Sequence, residues 1–273
     1  MDSETYLKIL ERNIIRYGRH RQLILFKGIV LNVKLAYANS EEDFLSPKKD
    51  RKRKIIHNKE LLKVRHITPM TWAQGDMIEG FGRGANIVAT GSAGTGKSFI
   101  ASYLALNALF NKQAEKIVVV RSAVPTRDMG HLPGTLQEKS EVYTIPYKQI
   151  FNDLCENGTA WDILTKKNMV EFITTSYVRG ITLENAIVII DEFQSMTAHE
   201  LYSVLTRTGQ GTRLIICGDT KQTDLDGRKE KSCYDWFVGV ANKIPDWFHM
   251  TNFISSDIVR SNFVKALIMA VED

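Results

Sequence analysis

Four short apolar runs, 86–90, 117–120, 187–190 and 214–217, set the pattern of this chain; three are rich in β-branched residues, and each ends in glycine or polar residues. Continuous runs of this length are the mark of strands buried on both faces of a parallel sheet. The first leads into glycines, and residues 99–109 behind it are apolar nearly all round, which predicts a helix buried against the sheet. Residues 170–177 predict another strand. Helices are predicted over 147–155 and over 198–207, the second closed by Gly209. Thr68 and Pro69 predict the cap and first position of a helix that carries Trp72 and Gln74 toward Gly80. Ser255, Ser256 and Asp257 predict the cap of a last helix, with Val259, Phe263, Ala266 and Ala270 on one face and Arg260 in its first turn. Pro125, Pro133 and Pro146 make residues 125–146 read as a long insertion. Alternation of strands and helices through 86–272 predicts an α/β domain: a mainly parallel sheet, helices on both faces, and its ligand at the carboxyl ends of the strands.

The first 65 residues follow a different pattern. Leu7, Leu10, Ile14 and Tyr17 recur at helical spacing between Ser3 and Gly18, and Leu31, Val33 and Leu35 alternate with polar residues as in a strand. Residues 39–54 are polar and charged, which predicts a linker. The expected division is an extension over 1–65 and an α/β domain over 66–273.

Composition changes this picture little. The chain is 44% hydrophobic and 25% charged, as soluble globular proteins are. Its net charge of +5 is uneven: Lys48, Lys49, Arg51, Lys52, Arg53 and Lys54 stand against the single acid Asp50. Such a run is either a solvated loop or a contact for nucleic acid. Three scattered cysteines argue for a reducing compartment rather than a disulfide framework. No apolar run approaches a membrane span, and Asp2 and Glu4 do not suit a signal peptide, so a cytoplasmic protein without a membrane partner is expected.

Chemistry enters at residues 91–98, GSAGTGKS, which fit G-x-x-x-x-G-K-[ST]. After a strand and before a helix, Gly91, Ser92, Ala93, Gly94, Thr95 and Gly96 can aim successive backbone N–H groups at phosphate oxygens, helped by the helix N-terminus. Lys97 would neutralise β/γ-phosphate charge and the Ser98 hydroxyl would hold Mg²⁺. The pattern predicts nucleoside triphosphate binding. Each later run ends in groups that would meet the same crevice: Arg121 after the second, Asp191 and Glu192 after the third, Asp219 and Gln222 after the fourth. Asp191 suits a Mg²⁺ ligand, Glu192 a general base for water, and Gln222 a sensor of the γ-phosphate. An arginine at a helix start is unfavourable against the dipole, so Arg260 is expected to answer an anion.

These segments, in this order, resemble the PhoH family of ATPases, related to the nucleotide-binding core of superfamily-one helicases. GSAGTGKS is joined by MGHLPG (129–134), YVRGITL (177–183), DEFQS (191–195), LTRTG (205–209), GDTKQTDL (218–225) and SSDIVRS (255–261). Ser122, Val142 and Asp226 stand where prolines are usual in the family. The resemblance covers residues from about 68 to 273 and implies a RecA-like P-loop NTPase fold, ATP and Mg²⁺ as cofactors, and a helicase-like ATPase. It further implies that Gln74 reads adenine, that Arg260 meets the γ-phosphate, and that Arg179 and Arg207 are further candidates for that task. The expected partner is RNA or another single strand. Related helicases complete the site with a second domain for which this chain has no room, so either it hydrolyses ATP slowly alone or a neighbouring subunit lends an arginine, which favours a homo-oligomer such as a ring or hexamer. Some relatives carry a nuclease domain, for which residues 1–65 are too few. Two other readings stay open: a protein whose assembly or partner affinity is gated by ATP, and a small-molecule kinase.

Overall fold

The computed structural model describes residues 24–26, 29–31, 62–122, 136–178, 180–219 and 232–272. The chain forms two compact units, Met1–His57 and Asn58–Asp273. In the first, β1 (Ile24–Phe26) pairs antiparallel with β2 (Ile29–Leu31). The expected helix over 3–18, the alternation beyond Leu31 and the basic run 48–54 lie outside the described residues.

The second unit is built on six parallel strands: β3 (Asn86–Gly91), β4 (Lys116–Arg121), β5 (Val170–Thr174), β6 (Ala186–Ile190), β7 (Arg213–Gly218) and β8 (Phe248–Phe253). Their order is β5-β4-β6-β7-β3-β8, and every pairing is parallel. The chain leaves β3 for β4, passing two strands, and later fills the gap with β6 and β7. The carboxyl end of β3 therefore sits where the winding changes direction, the place where such sheets open a crevice.

Side chains alternate faithfully between the two faces. Ile87, Ala89, Ile117, Val119, Ile187, Ile189, Ile215 and Cys217 share one buried cluster with residues of α1 (Trp72–Gly82), α2 (Lys97–Phe110), α3 (Leu136–Leu154) and α4 (Ala160–Lys166). Val88, Val118, Val120, Val188, Ile190, Leu214 and Ile216 share the other with α5 (Ala198–Leu205) and α6 (Tyr234–Lys243). Both faces are covered, which is why the strands read as unbroken apolar runs. A last helix, α7, spans Asn262–Glu272. Among the described residues no helix is long and apolar enough to cross a membrane.

The structure corrects several expectations. Helix α1 is capped by Thr71, whose hydroxyl accepts from the Gln74 backbone N–H at 3.3 Å, so Thr68 and Pro69 lie before it. The part of the expected insertion from Leu136 onward is helical, with Pro146 inside α3. Residues 175–177 leave β5 as one 3₁₀ turn. The elements α4, α6 and β8 were not foreseen. Residues 255–257 form a separate 3₁₀ turn, and α7 begins only at Asn262, so Arg260 stands in the connection before it rather than in a first turn.

Strand β8 positions much of the site. Its Thr251 hydroxyl donates to Asp76 of α1 at 2.6 Å, and His249 meets the same carboxylate at 2.8 Å. At the far end of α1 the Arg213 guanidinium lies 3.6 Å from the Phe81 ring centroid and donates to the carbonyls of Phe81 and Ala85. These ties hold α1, and with it Gln74, beside the glycine-rich loop.

Candidate functional site

The loop between β3 and α2 is built against β8. Gly91 has φ +115°, and a Cβ there would lie 1.8 Å from the Phe253 carbonyl oxygen, so only glycine fits. The Ser92 N–H donates to that carbonyl at 3.0 Å, and the Val259 N–H donates to the Gly94 carbonyl at 3.1 Å. A Cβ on Gly94 would lie 2.9 Å from Arg260 Cγ. The chain from Phe253 to Arg260 is thus an outer wall of the loop, and it brings Arg260 to the cleft of its own chain.

Inside the loop lies Lys97. Its ammonium donates to the carbonyls of Gly91 (2.8 Å) and Ser92 (2.7 Å) and approaches the Thr95 hydroxyl at 3.4 Å. Burial lowers its pKa, while the charges of Asp219, Glu192 and Asp191 oppose the change. From the other side Gln74, itself buried, donates its amide N–H to the Thr95 carbonyl at 3.0 Å and accepts from the Met70 N–H at 2.8 Å. Both ends of this amide are engaged by the protein. Gln74 is therefore a brace of the loop.

The carboxylates come from the end of β6. Asp191 is 5% exposed; its Oδ1 accepts from the Ser98 hydroxyl and from the Glu192 N–H, each at 3.1 Å, and its Oδ2 accepts from the Tyr147 hydroxyl at 2.6 Å. Glu192 has φ +53°, a left-handed conformation that costs a non-glycine residue about 1 kcal/mol or more. What enforces it is Phe193, fully buried, stacked on Tyr234 (centroids 5.2 Å) and edge-on to Phe237 (5.5 Å). With Phe193 driven into the core, Glu192 lines the cleft. Burial, and next the charge of Asp191, raise the Glu192 pKa. Gln194 donates to the Glu192 carboxylate and accepts from the Asp219 N–H, tying the ends of β6 and β7 together.

Gln74, the 93–98 loop, Asp191, Glu192, Asp219 and Arg260 line one cleft of about 750 Å³, to which Ile67, Met70, Phe99 and Ile150 add apolar wall. Arg121, at the end of β4, lies over the Tyr143 ring (5.8 Å to its centroid), and its charge is felt at Glu192. Arg207 is placed elsewhere: its carbonyl accepts from the Leu183 N–H, beside the amino ends of β6 and β7, a strand's length from the cleft. Within one chain it does not reach the loop. Gln222 and Arg179 lie outside the described residues. Two residues of the site escaped sequence reasoning: Gln194, whose place in DEFQS was a usable signal, and Tyr147, an ordinary apolar position of a helix until the fold brings it to Asp191.

Ser98 and Asp191 both offer oxygen ligands, 3.1 Å apart on one cleft, a pair that suits a hard divalent cation such as Mg²⁺. The loop, with a lysine at its centre and a helix start behind it, suits a chain of phosphates.

The family model described as PhoH-like protein matches residues 66–272. A PhoH-like protein of Mycobacterium leprae is 31% identical over 205 residues, 75% of this chain and 58% of its own length. One of Bacillus subtilis is 30% identical over 250 residues, 90% of this chain and 75% of its own. The chain thus spans under two thirds of the mycobacterial relative. Among solved structures, the Pif1 helicase of Candida albicans matches 69% of this chain and 41% of its own with 16% identity and a TM-score of 0.35, too slight a likeness to carry an argument.

Proposed function

This chain belongs to the PhoH-like family, and from that premise we propose that it is a Mg²⁺-dependent ATPase whose turnover is coupled to RNA or another single-stranded nucleic acid. One observation carries the reading: Ser98 and Asp191 meet at 3.1 Å beside a loop filled by Lys97, with Glu192 on the same cleft. Lys97 would turn from the loop carbonyls to the β/γ-phosphates, and Gln74 would keep the loop in shape. Ser98 and Asp191 would hold Mg²⁺, which when bound neutralises phosphate charge. Glu192, kept basic by its surroundings, would take the proton of the attacking water. Arg260 would face the γ-phosphate from the same chain, so the cleft needs no arginine from a neighbour; Arg207 could serve only another copy.

Coupling to a single strand rests on the basic run 48–54, a salt-sensitive contact for phosphates. The test is ATP turnover with and without single-stranded RNA. Stimulation supports the proposal; turnover indifferent to RNA favours a nucleotide-gated assembly protein, and phosphate appearing on an acceptor favours a kinase.

Glu192→Gln separates base catalysis from a merely structural acid. It should bind ATP as the native protein does and hydrolyse it at least ~10²-fold more slowly, the scale of a lost general base. Near-native turnover would assign Glu192 to the backbone turn alone.

A further inference from the structure

We propose that Tyr147 is a positioning residue of the metal site, holding the Asp191 carboxylate so that Oδ1 faces Ser98; this rests on the functional reading above. A carboxylate at a strand end can rotate about its last bond and exchange its two oxygens. Here the rotation is blocked from behind. The Tyr147 hydroxyl donates to Oδ2 at 2.6 Å, while Oδ1 accepts from Ser98 and from the Glu192 N–H.

The tyrosine does not owe its place to the aspartate. It comes from α3, is 1% exposed, packs in the cluster with Phe151 and Leu154, and lies against the Phe172 ring of β5 at 5.9 Å between centroids. Its hydroxyl is therefore a fixed point, delivered by helix packing from outside the loop. Neither Tyr147 nor its helix lies in any segment that carries the nucleotide motifs. Partners that orient a metal ligand from behind commonly change metal affinity by about 10–100-fold when removed.

Tyr147→Phe deletes the hydroxyl and keeps the ring. ATP affinity is measured by calorimetry in excess EDTA and across a Mg²⁺ titration, with the melting temperature as a check on folding. The expected result is a Mg²⁺ half-saturation raised about tenfold, with ATP affinity in EDTA unchanged. A half-saturation equal to the native one overturns the proposal, and so does an equal loss of affinity with and without Mg²⁺, which would make Tyr147 a structural prop. Native protein whose ATP affinity ignores Mg²⁺ would overturn the functional reading as well. Should Tyr147→Phe fail to fold, Phe172→Leu loosens the ring's support and leaves the hydroxyl in place. It should raise the Mg²⁺ half-saturation a few-fold with affinity in EDTA unchanged, and a native value again overturns the proposal.

Discussion

Lys97→Ala should abolish ATP binding and turnover. In the structure the ammonium occupies the centre of the loop, held by the carbonyls of Gly91 and Ser92 at 2.8 and 2.7 Å. It is thus both the counter-charge for phosphate and a strut of the loop at rest. Losing it removes the only lysine that lines the cleft among the described residues and leaves two carbonyls to find water. The cost to the fold should be small, about 1 kcal/mol for net hydrogen bonding, which in a chain of this size lowers the melting temperature by roughly 2–4 °C. The two readouts separate cleanly: nucleotide titration should show no binding while circular dichroism stays native. Turnover at the native rate would remove the phosphate reading of the whole loop.

Arg260→Ala should lower turnover by roughly 10³-fold or more, the range for an arginine that stabilises charge on a transferring phosphoryl group, with ATP affinity changed only modestly. The place of this residue is settled by the chain around it. Val259 is bonded to the Gly94 carbonyl at 3.1 Å, and the Arg260 side chain passes over Gly94 of the same chain. Mixing Arg260→Ala with an excess of Lys97→Ala protein should therefore restore no activity, because each site uses its own arginine. Recovery would instead mean that the arginine works across a subunit boundary. Native activity of the single variant would turn attention to Arg207 of another copy, or to Arg179.

Burial on both faces made the sheet readable. The runs at 86–90, 117–120, 187–190 and 214–217 are central strands, and their middle positions need apolar side chains on both faces, whatever the partners. Strand β8 was missed for the converse reason. It is an edge strand with residues 248–250 half-exposed, so the segment has no continuous apolar run, and the alternation that starts at Phe248 breaks at Thr251 and Asn252. The start of α1 was misplaced because Thr68-Pro69 and Thr71 are both good caps, and local chemistry cannot choose between them; the backbone N–H that Thr71 accepts makes the choice.

For the site the division is similar. That the loop at 91–98, Ser98, Asp191 and Glu192 meet in one cleft was legible because a fixed motif and the ends of neighbouring strands mark them along the chain. The contacts that hold the site together were not, even where the residue itself, Gln74 or Arg260, was named from the sequence. Tyr147 reaches Asp191 across 44 residues of sequence, Gln74 reaches Thr95 across 21, and Arg260 reaches Gly94 only because β8 lies beside β3. Arg207 shows the opposite case, a residue in a motif that the fold carries to the amino ends of the strands, away from the cleft. Periodicity and motif spacing are local properties, set by the backbone and by the ligand's own chemistry. Which helix stands behind a carboxylate, and which strand closes the loop, follows from how the layers pack, and that was decided by the tertiary structure alone.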